Sequence, residues 1–121
     1  MSGANQEPKI LIVDSWPYWR QAVAYVMKRA GMEFKVTVDA ETALGALARG
    51  GLTGVVVDGM NGGWRPVANT AARFGLPVVV LSTSEQDLVD AQAEGLPTGN
   101  KMTIGTTEDL EEALGAVLGI E

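Results

Sequence analysis

The 121-residue sequence contains neither cysteine nor histidine. These absences exclude disulfide bonds, zinc ribbons, cysteine or histidine nucleophiles, catalytic triads with a histidine base, and a phosphohistidine. Basic residues are also few, with nine Lys and Arg against fifteen Asp and Glu, which gives a formal net charge of −6. Because affinity for DNA or RNA comes largely from clustered Lys and Arg, this balance disfavours a nucleic-acid partner.

Long apolar runs are absent as well. No run approaches the roughly 20 residues that cross a bilayer, and residues 1–7 lack the apolar stretch of a signal peptide. We therefore expect a cytoplasmic protein with no membrane partner. Apolar residues make up 46% of the chain, enough for a single core of ordinary size. The sequence predicts a disordered tail over residues 1–8 and one domain over residues 9–119.

Short runs rich in valine and isoleucine predict the strands. Residues 9–14, 53–58 and 77–82 are too short for helices and alternate little between apolar and polar residues. Both of their faces should therefore be covered, as in a parallel sheet. Residues 34–39 alternate and predict a strand nearer an edge, and residues 98–104 are the weakest strand candidate.

Helical patterns separate these strands. Apolar residues at spacings of three and four, with capping residues and glycine stops, predict five helices, at residues 17–30, 40–49, 67–74, 84–95 and 106–118. Ser84, with Asp87 three residues on, marks the start of the fourth helix. We expect a long loop over residues 61–66 and only about two turns in the third helix. Five rounds of strand then helix predict an α/β domain, with a parallel sheet and helices on both faces.

In such sheets the ligand site lies at the carboxyl ends of the strands. The residues at those ends are Asp14, Asp39, Asp58, Ser82 and Lys101. An Asp between a strand and a helix is more often a cap than a catalyst, and we assign that role to Asp39. Asp58 differs because a glycine-rich segment, residues 59–63, follows it and makes a poor helix start. We expect the Asp58 carboxylate to be exposed and available for chemistry.

The remaining four residues suit phosphoryl transfer onto a carboxylate. Asp14 and Asp58 would hold a hard divalent cation such as Mg²⁺, and Asp58 would be the nucleophile. Lys101 would neutralise charge that develops on the phosphoryl oxygens, and Ser82 would donate a hydrogen bond to one of them.

Other phosphate and nucleotide sites are not supported. The sequence has no Gly-x-x-x-x-Gly-Lys-Ser/Thr motif and no Gly-x-Gly-x-x-Gly after the first strand. The segment at residues 15–19 is too bulky for close backbone approach to a pyrophosphate. It also lacks the hydroxyl-rich phosphate loop of an FMN-binding flavodoxin.

Over residues 9–118 the sequence resembles the receiver domain of two-component response regulators. The matching motifs are Ile-Leu-Ile-Val-Asp14, Val-Val-Val-Asp58, the valine-rich run that ends at Ser82, and Lys101 after Gly95. The resemblance implies a flavodoxin-like, doubly wound sheet of strand order 2-1-3-4-5. It also implies that a histidine kinase or phosphotransfer protein passes a phosphoryl group to Asp58.

By the same resemblance Asp14 is a metal-site acid, Ser82 the switch hydroxyl and Lys101 the phosphoryl-binding lysine. Such a domain is not an enzyme beyond its own phosphorylation and dephosphorylation. It signals through altered protein contacts, at the face formed by helix 4, strand 5 and the last helix, including contact with a second copy. Because the sequence ends after that last helix, we expect the output to come through association with a downstream protein.

Three departures from the receiver pattern leave a second interpretation open. Ser15 stands where receivers usually have a second acid, which should weaken Mg²⁺ binding. Met102 stands where the lysine is usually followed by a cis proline, so the turn must be held another way. Thr98 stands where many receivers have an aromatic switch residue. The alternative, which Ser15, Asn61 and Met102 favour, is a phosphorylation-independent pseudo-receiver, a protein–protein interaction module.

Three tryptophans, Trp16, Trp19 and Trp64, flank the two loops expected to border Asp58. In one interpretation Trp16 and Trp19 simply pack the start of the first helix. In the other, the three rings form a partly apolar rim that docks a partner or shields the site.

Overall fold

The structure is a computed structural model and describes residues 8–119. The predicted disordered tail, residues 1–8, lies outside the described residues except for Pro8. None of the helices in the described range has the length and apolar character that a membrane crossing requires.

Strands and helices alternate along the chain. The strands are β1 (Lys9–Val13), β2 (Glu33–Thr37), β3 (Gly54–Asp58), β4 (Val78–Ser82) and β5 (Thr98–Asn100). The helices are α1 (Pro17–Arg29), α2 (Ala40–Arg49), α3 (Trp64–Arg73), α4 (Glu85–Ala93), α5 (Thr107–Ala113) and α6 (Gly115–Leu118). All neighbouring strands are parallel and the sheet order is 2-1-3-4-5, so the predicted fold class is confirmed.

The sheet is covered on both faces because alternate residues of each buried strand enter different cores. In β1, Leu11 and Val13 pack with α2 and α3, whereas Ile10 and Ile12 pack with α1, α5 and α6. This is why the central strands show little apolar–polar alternation. The alternating strand β2 lies at one edge of the sheet, as predicted, and the short strand β5 lies at the other.

The predicted caps are present. The Thr42 backbone N–H donates to the Asp39 carboxylate at 2.8 Å, so Asp39 caps α2. The Asp87 backbone N–H donates to the Ser84 hydroxyl at 3.3 Å at the start of α4. These caps fix where α2 and α4 begin, shortly after the ends of β2 and β4.

Two helix boundaries differ from the prediction. The third helix begins at Trp64, not at residue 67, and the expected long loop shrinks to a 3₁₀ turn at Met60–Gly62. Pro66 does not prevent this because it lies in the first turn, where its missing N–H has no helical partner to lose. The last helix is divided between α5 and α6 at Leu114, directly before Gly115, a poor helix former.

Candidate functional site

Four of the predicted site residues meet at the carboxyl edge of the sheet. Asp14 directly follows β1, Asp58 and Ser82 end β3 and β4, and Lys101 directly follows β5. The parallel register pairs Asp58 with Leu81 and Ser82 with Asn100, so these strands end at nearly the same level. Residues distant in sequence are thereby brought to one edge.

The Lys101 ammonium joins the two acids. Its Nζ donates to Asp14 Oδ2 and to Asp58 Oδ1, each at 2.7 Å. The exposed fractions of the three side chains are 2% for Lys101, 5% for Asp14 and 14% for Asp58. The expectation that Asp58 is exposed is therefore wrong, because Lys101 and the surrounding loops cover most of it, although an open part remains.

Asp14 is held rigidly in this cluster. Its Oδ1 accepts a hydrogen bond from the Trp16 backbone N–H at 2.9 Å, and its carbonyl oxygen accepts one from the Arg20 guanidinium at 3.1 Å. Burial raises the pKa of Asp14 above its ordinary value, although the hydrogen bonds from Lys101 and Trp16 act in the opposite direction. An ionised Asp14 in this position is therefore sustained mainly by Lys101.

Two aromatic rings lie beside the same ammonium. Lys101 Nζ is 5.7 Å from the ring centroid of Trp16 and 5.3 Å from that of Trp19, within the range of a cation–π contact. Trp19 is buried against the α1 core, whereas Trp16 is half exposed. Trp64 is fully buried in the other core, so the interpretation of a three-tryptophan rim is wrong for Trp64.

Ser82 is linked to Asp87, an acid whose position in the sequence indicates only the start of a helix. The Ser82 hydroxyl accepts from the Ser84 backbone N–H at 2.9 Å and donates to Asp87 Oδ2 at 3.4 Å. Ser82 and Asp87 are both buried. The available signal was the pattern of α4, in which Asp87 lies on the same stripe as Leu88 and Ala91. An acid on a buried stripe indicates a specific partner.

A polar cavity of about 300 Å³ opens beside these groups. Its lining residues are Ser15, Trp16, Asp58, Met60, Asn61, Ser82, Thr83, Ser84, Asp87 and Lys101. Asp14 does not line the cavity, but it contacts Lys101, which does. Since a water molecule occupies about 30 Å³, the cavity can seat a phosphoryl-sized anion together with ordered water.

The turn after β5 is held without proline. The Asn100 side chain accepts from the Met102 backbone N–H at 2.8 Å, and the Asn100 carbonyl accepts from the Thr103 backbone N–H at 3.0 Å. The Lys101 backbone N–H donates to the Ser82 carbonyl at 2.9 Å. This confirms that the turn is held another way, and Asn100 is the residue that holds it.

The loop after Asp58 carries backbone strain. Met60 and Asn61 have φ of 50° and 51°, and Gly62 follows with φ of 94°. Left-handed conformations are costly for a residue such as Met60 and persist where the surroundings impose them. The 3₁₀ turn is closed by the Gly62 N–H donating to the Gly59 carbonyl at 3.0 Å. It places Met60 and Asn61 on the cavity wall next to Asp58.

The donor chemistry of the site suits Mg²⁺, since Asp14 and Asp58 supply the carboxylate oxygens that a hard cation prefers. Two features oppose strong binding. Lys101 already pairs with both acids and offsets one of their two negative charges, and Ser15 adds no negative charge. Within residues 8–119 no group of three or more acidic side chains forms a metal cluster. The weak Mg²⁺ site at Asp14 and Asp58 stays a prediction, as do the catalytic roles of Asp58, Lys101 and Ser82.

No protein-family model matches the chain, and no curated protein is similar to it at the level that would mark a relative. Solved structures are similar. SdrG from Sphingomonas melonis Fr1 is 27% identical, with 98% of this chain and 99% of that one aligned at a TM-score of 0.75. The chemotaxis response regulator CheY4 of Vibrio cholerae is 21% identical, covering 92% and 98% of the two chains at a TM-score of 0.73.

A third similar structure is the signal receiver domain of an HD domain-containing protein from Pseudomonas fluorescens Pf-5. It is 21% identical and covers 93% of this chain and 95% of that one at a TM-score of 0.75. A de novo designed Rossmann 2x3 protein also aligns, at 15% identity and a TM-score of 0.71 over 92% of this chain. Since a designed protein shares the architecture, the fold alone does not indicate a function, and the residues of the site decide it.

Proposed function

We propose, on the premise that this chain has the fold of response regulator receiver domains, that it accepts a phosphoryl group on Asp58 and signals through altered protein contacts. The observation that carries the proposal is the bond of 2.7 Å from Lys101 Nζ to Asp58 Oδ1 at the wall of a polar cavity. A buried ammonium that touches the acceptor carboxylate is already where negative charge would develop.

In this proposal the Asp58 carboxylate attacks the phosphorus of a phosphohistidine on a kinase or phosphotransfer protein. A P–O bond forms as the P–N bond breaks, and the electron pair stays on the imidazole nitrogen, which takes up a proton. Asp58 becomes an acyl phosphate. Lys101 then neutralises phosphoryl oxygens, and the Ser82 hydroxyl donates to one of them. Mg²⁺ held by Asp14 and Asp58 would supply further charge neutralisation when bound.

The phosphorylation-independent pseudo-receiver is the second candidate, and one feature favours it. Lys101 pairs with both acids at 2.7 Å, so each carboxylate already has a cationic partner without metal or phosphate. Ser15 in place of a second acid points the same way. In this alternative the Lys101 cluster is structural and the chain acts only by binding other proteins.

The partners in the first proposal are a histidine kinase or phosphotransfer protein and a downstream protein, in the cytoplasm. The proposed output face is α4, β5 and the last helix, which comprises α5 and α6, and a second copy of the chain is one occupant to test. Val89, one of the exposed large apolar side chains, lies on α4.

The deciding experiment is a beryllofluoride titration. We expect a weak response to Mg²⁺ alone, then a clear change in tryptophan emission and amide NMR shifts on adding beryllofluoride. Trp16 should report it because its ring lies 5.7 Å from Lys101 Nζ. Asp58→Asn should abolish the response, since an amide neither forms the mimic nor matches the charge of the carboxylate.

Asp39→Asn is the matched control. It removes the same charge just beyond the carboxyl end of β2, which β1 separates from β3, and Asp39 only caps α2, which Asn also does well. This variant should respond like the wild type. A wild-type protein that is silent to beryllofluoride by both readouts would favour the pseudo-receiver.

A further inference from the structure

The Ser82 hydroxyl has one proton to give. Its two partners in the structure are the Ser84 backbone N–H, which can only donate, and the Asp87 carboxylate, which accepts when ionised. The single proton is therefore directed at Asp87 Oδ2, at 3.4 Å. A phosphoryl group on Asp58 would need that same proton.

The contact between Ser82 and Asp87 depends on the absence of a side chain at Gly59. A Cβ on Gly59, the residue after Asp58, would overlap both the Ser82 hydroxyl and Asp87 Oδ2. Gly59 has φ of −58°, which any residue can adopt, so a glycine is needed at this position for lack of space and not for its backbone conformation. The chain thus reserves room at this point for the hydroxyl and the carboxylate to meet.

Charge acts in the same direction as the hydrogen bond. Asp58 and Asp87 line one cavity, in which Lys101 is the only cationic lining residue among those described. Asp87 has no ion-pair partner within residues 8–119. A dianionic phosphoryl group would therefore face a carboxylate that no cation screens.

Asp87 also lies in the first turn of α4. Its backbone N–H donates to Ser84 at 3.3 Å, so side chain and backbone tie this turn to the β4 end. Farther along α4, Asp90 and Glu94 pair with Arg65 of α3. The later part of α4 is thus held by α3, and the first turn is held by the Ser82–Ser84 segment.

We infer that Asp87 competes with the phosphoryl group on Asp58 for the Ser82 hydroxyl proton, and thereby transmits phosphorylation to the first turn of α4. When Ser82 turns to the phosphoryl oxygen, Asp87 loses its hydroxyl donor and is left buried without compensation. The first turn of α4 relieves this by moving the carboxylate towards water. Asp87 is a positioning residue, and the inference rests on the proposed function.

The test is a set of beryllofluoride titrations at fixed, saturating Mg²⁺. Asp87→Asn keeps the shape of the side chain but removes the charge and the strong acceptor, so it should bind beryllofluoride about tenfold more tightly than the wild type. Glu85→Gln is the matched control. It removes one acid from the same first turn, but Glu85 is exposed, and its affinity should stay within about twofold of wild type.

The Ser82→Ala background distinguishes competition for a proton from a merely structural or charge effect. There, adding Asp87→Asn should give a clearly smaller gain than it does when the hydroxyl is present, because removal of the charge still contributes but no hydroxyl is left to compete for. Amide NMR should show beryllofluoride-induced shifts in the first turn of α4 in the wild type, and much smaller ones in Asp87→Asn. Thermal unfolding establishes that each variant is folded before titration.

Equal beryllofluoride affinities for wild type and Asp87→Asn would overturn the inference and leave the proposed function standing. The same conclusion would follow if Asp87→Asn increased the affinity as much in the Ser82→Ala background as in the wild type. If the wild type does not respond to beryllofluoride but Asp87→Asn does, the result would support the competition and would exclude phosphorylation as the natural function. Silence of both proteins would overturn both proposals.

Discussion

Replacement of Lys101 by methionine is expected to lower the free energy of unfolding by about 3–5 kcal/mol at neutral pH. The substitution keeps much of the side-chain volume but leaves the Asp14 and Asp58 carboxylates facing each other without a cation. The exposed fraction of Asp14 is only 5%, so water compensates little. Urea unfolding followed by circular dichroism measures the loss.

That loss should shrink in acid. In the folded protein, burial raises the pKa of Asp14 above 3.8, its ordinary value. Asp14 therefore contributes its full stabilisation of the fold below pH 3.8, and this stabilisation is lost as the pH rises through the raised pKa. Lys101→Met removes a hydrogen bond that lowers this pKa, which makes the loss with rising pH larger. Adding Asp14→Asn to Lys101→Met should recover part of the stability at neutral pH. A deficit that does not change with pH would contradict the ion-pair explanation.

Replacement of Trp64 by alanine is expected to cost about 3–5 kcal/mol of unfolding free energy, because it empties a large site in the core. Trp64 is fully buried among the α2, α3 and central-strand residues. The control is Trp16→Ala. Trp16 is 54% exposed and loses chiefly its contact with Lys101, which should cost no more than about 1–2 kcal/mol. Similar losses for the two variants in urea unfolding would show that the tryptophans have been assigned wrongly.

Much of the fold follows from local patterns. Runs such as residues 77–82 are apolar on both faces and therefore predict buried parallel strands. The Asp39 cap is also predictable, because the capping carboxylate binds a residue only three positions later in the chain. The start of α3 was not predictable in this way. Glycines and Pro66 indicate a loop, whereas burial of the Trp64 ring, a tertiary contact, brings the helix forward.

The candidate site likewise has features that follow from the order of the strands and features that depend on tertiary contacts. The strand-end rule selects Asp14, Asp58, Ser82 and Lys101 once Asp39 is assigned to capping, because parallel strands end at one edge. The bridging of both acids by one ammonium could not be predicted, since it depends on how the turn after Asn100 aims the Lys101 side chain. Asp87 was missed because a capping pattern with Ser84 already explained it, and its contact with Ser82 exists only once β4 and α4 are placed.

The central claim, that Asp58 accepts a phosphoryl group, is tested most directly by mass spectrometry. The protein is incubated with acetyl phosphate and Mg²⁺, and its intact mass is compared with that of Asp58→Asn treated identically. The account predicts the added mass of one phosphoryl group on the wild type, lost on raising the pH as an acyl phosphate hydrolyses, and no added mass on the variant. An unmodified wild type, or equal modification of both proteins, would contradict it.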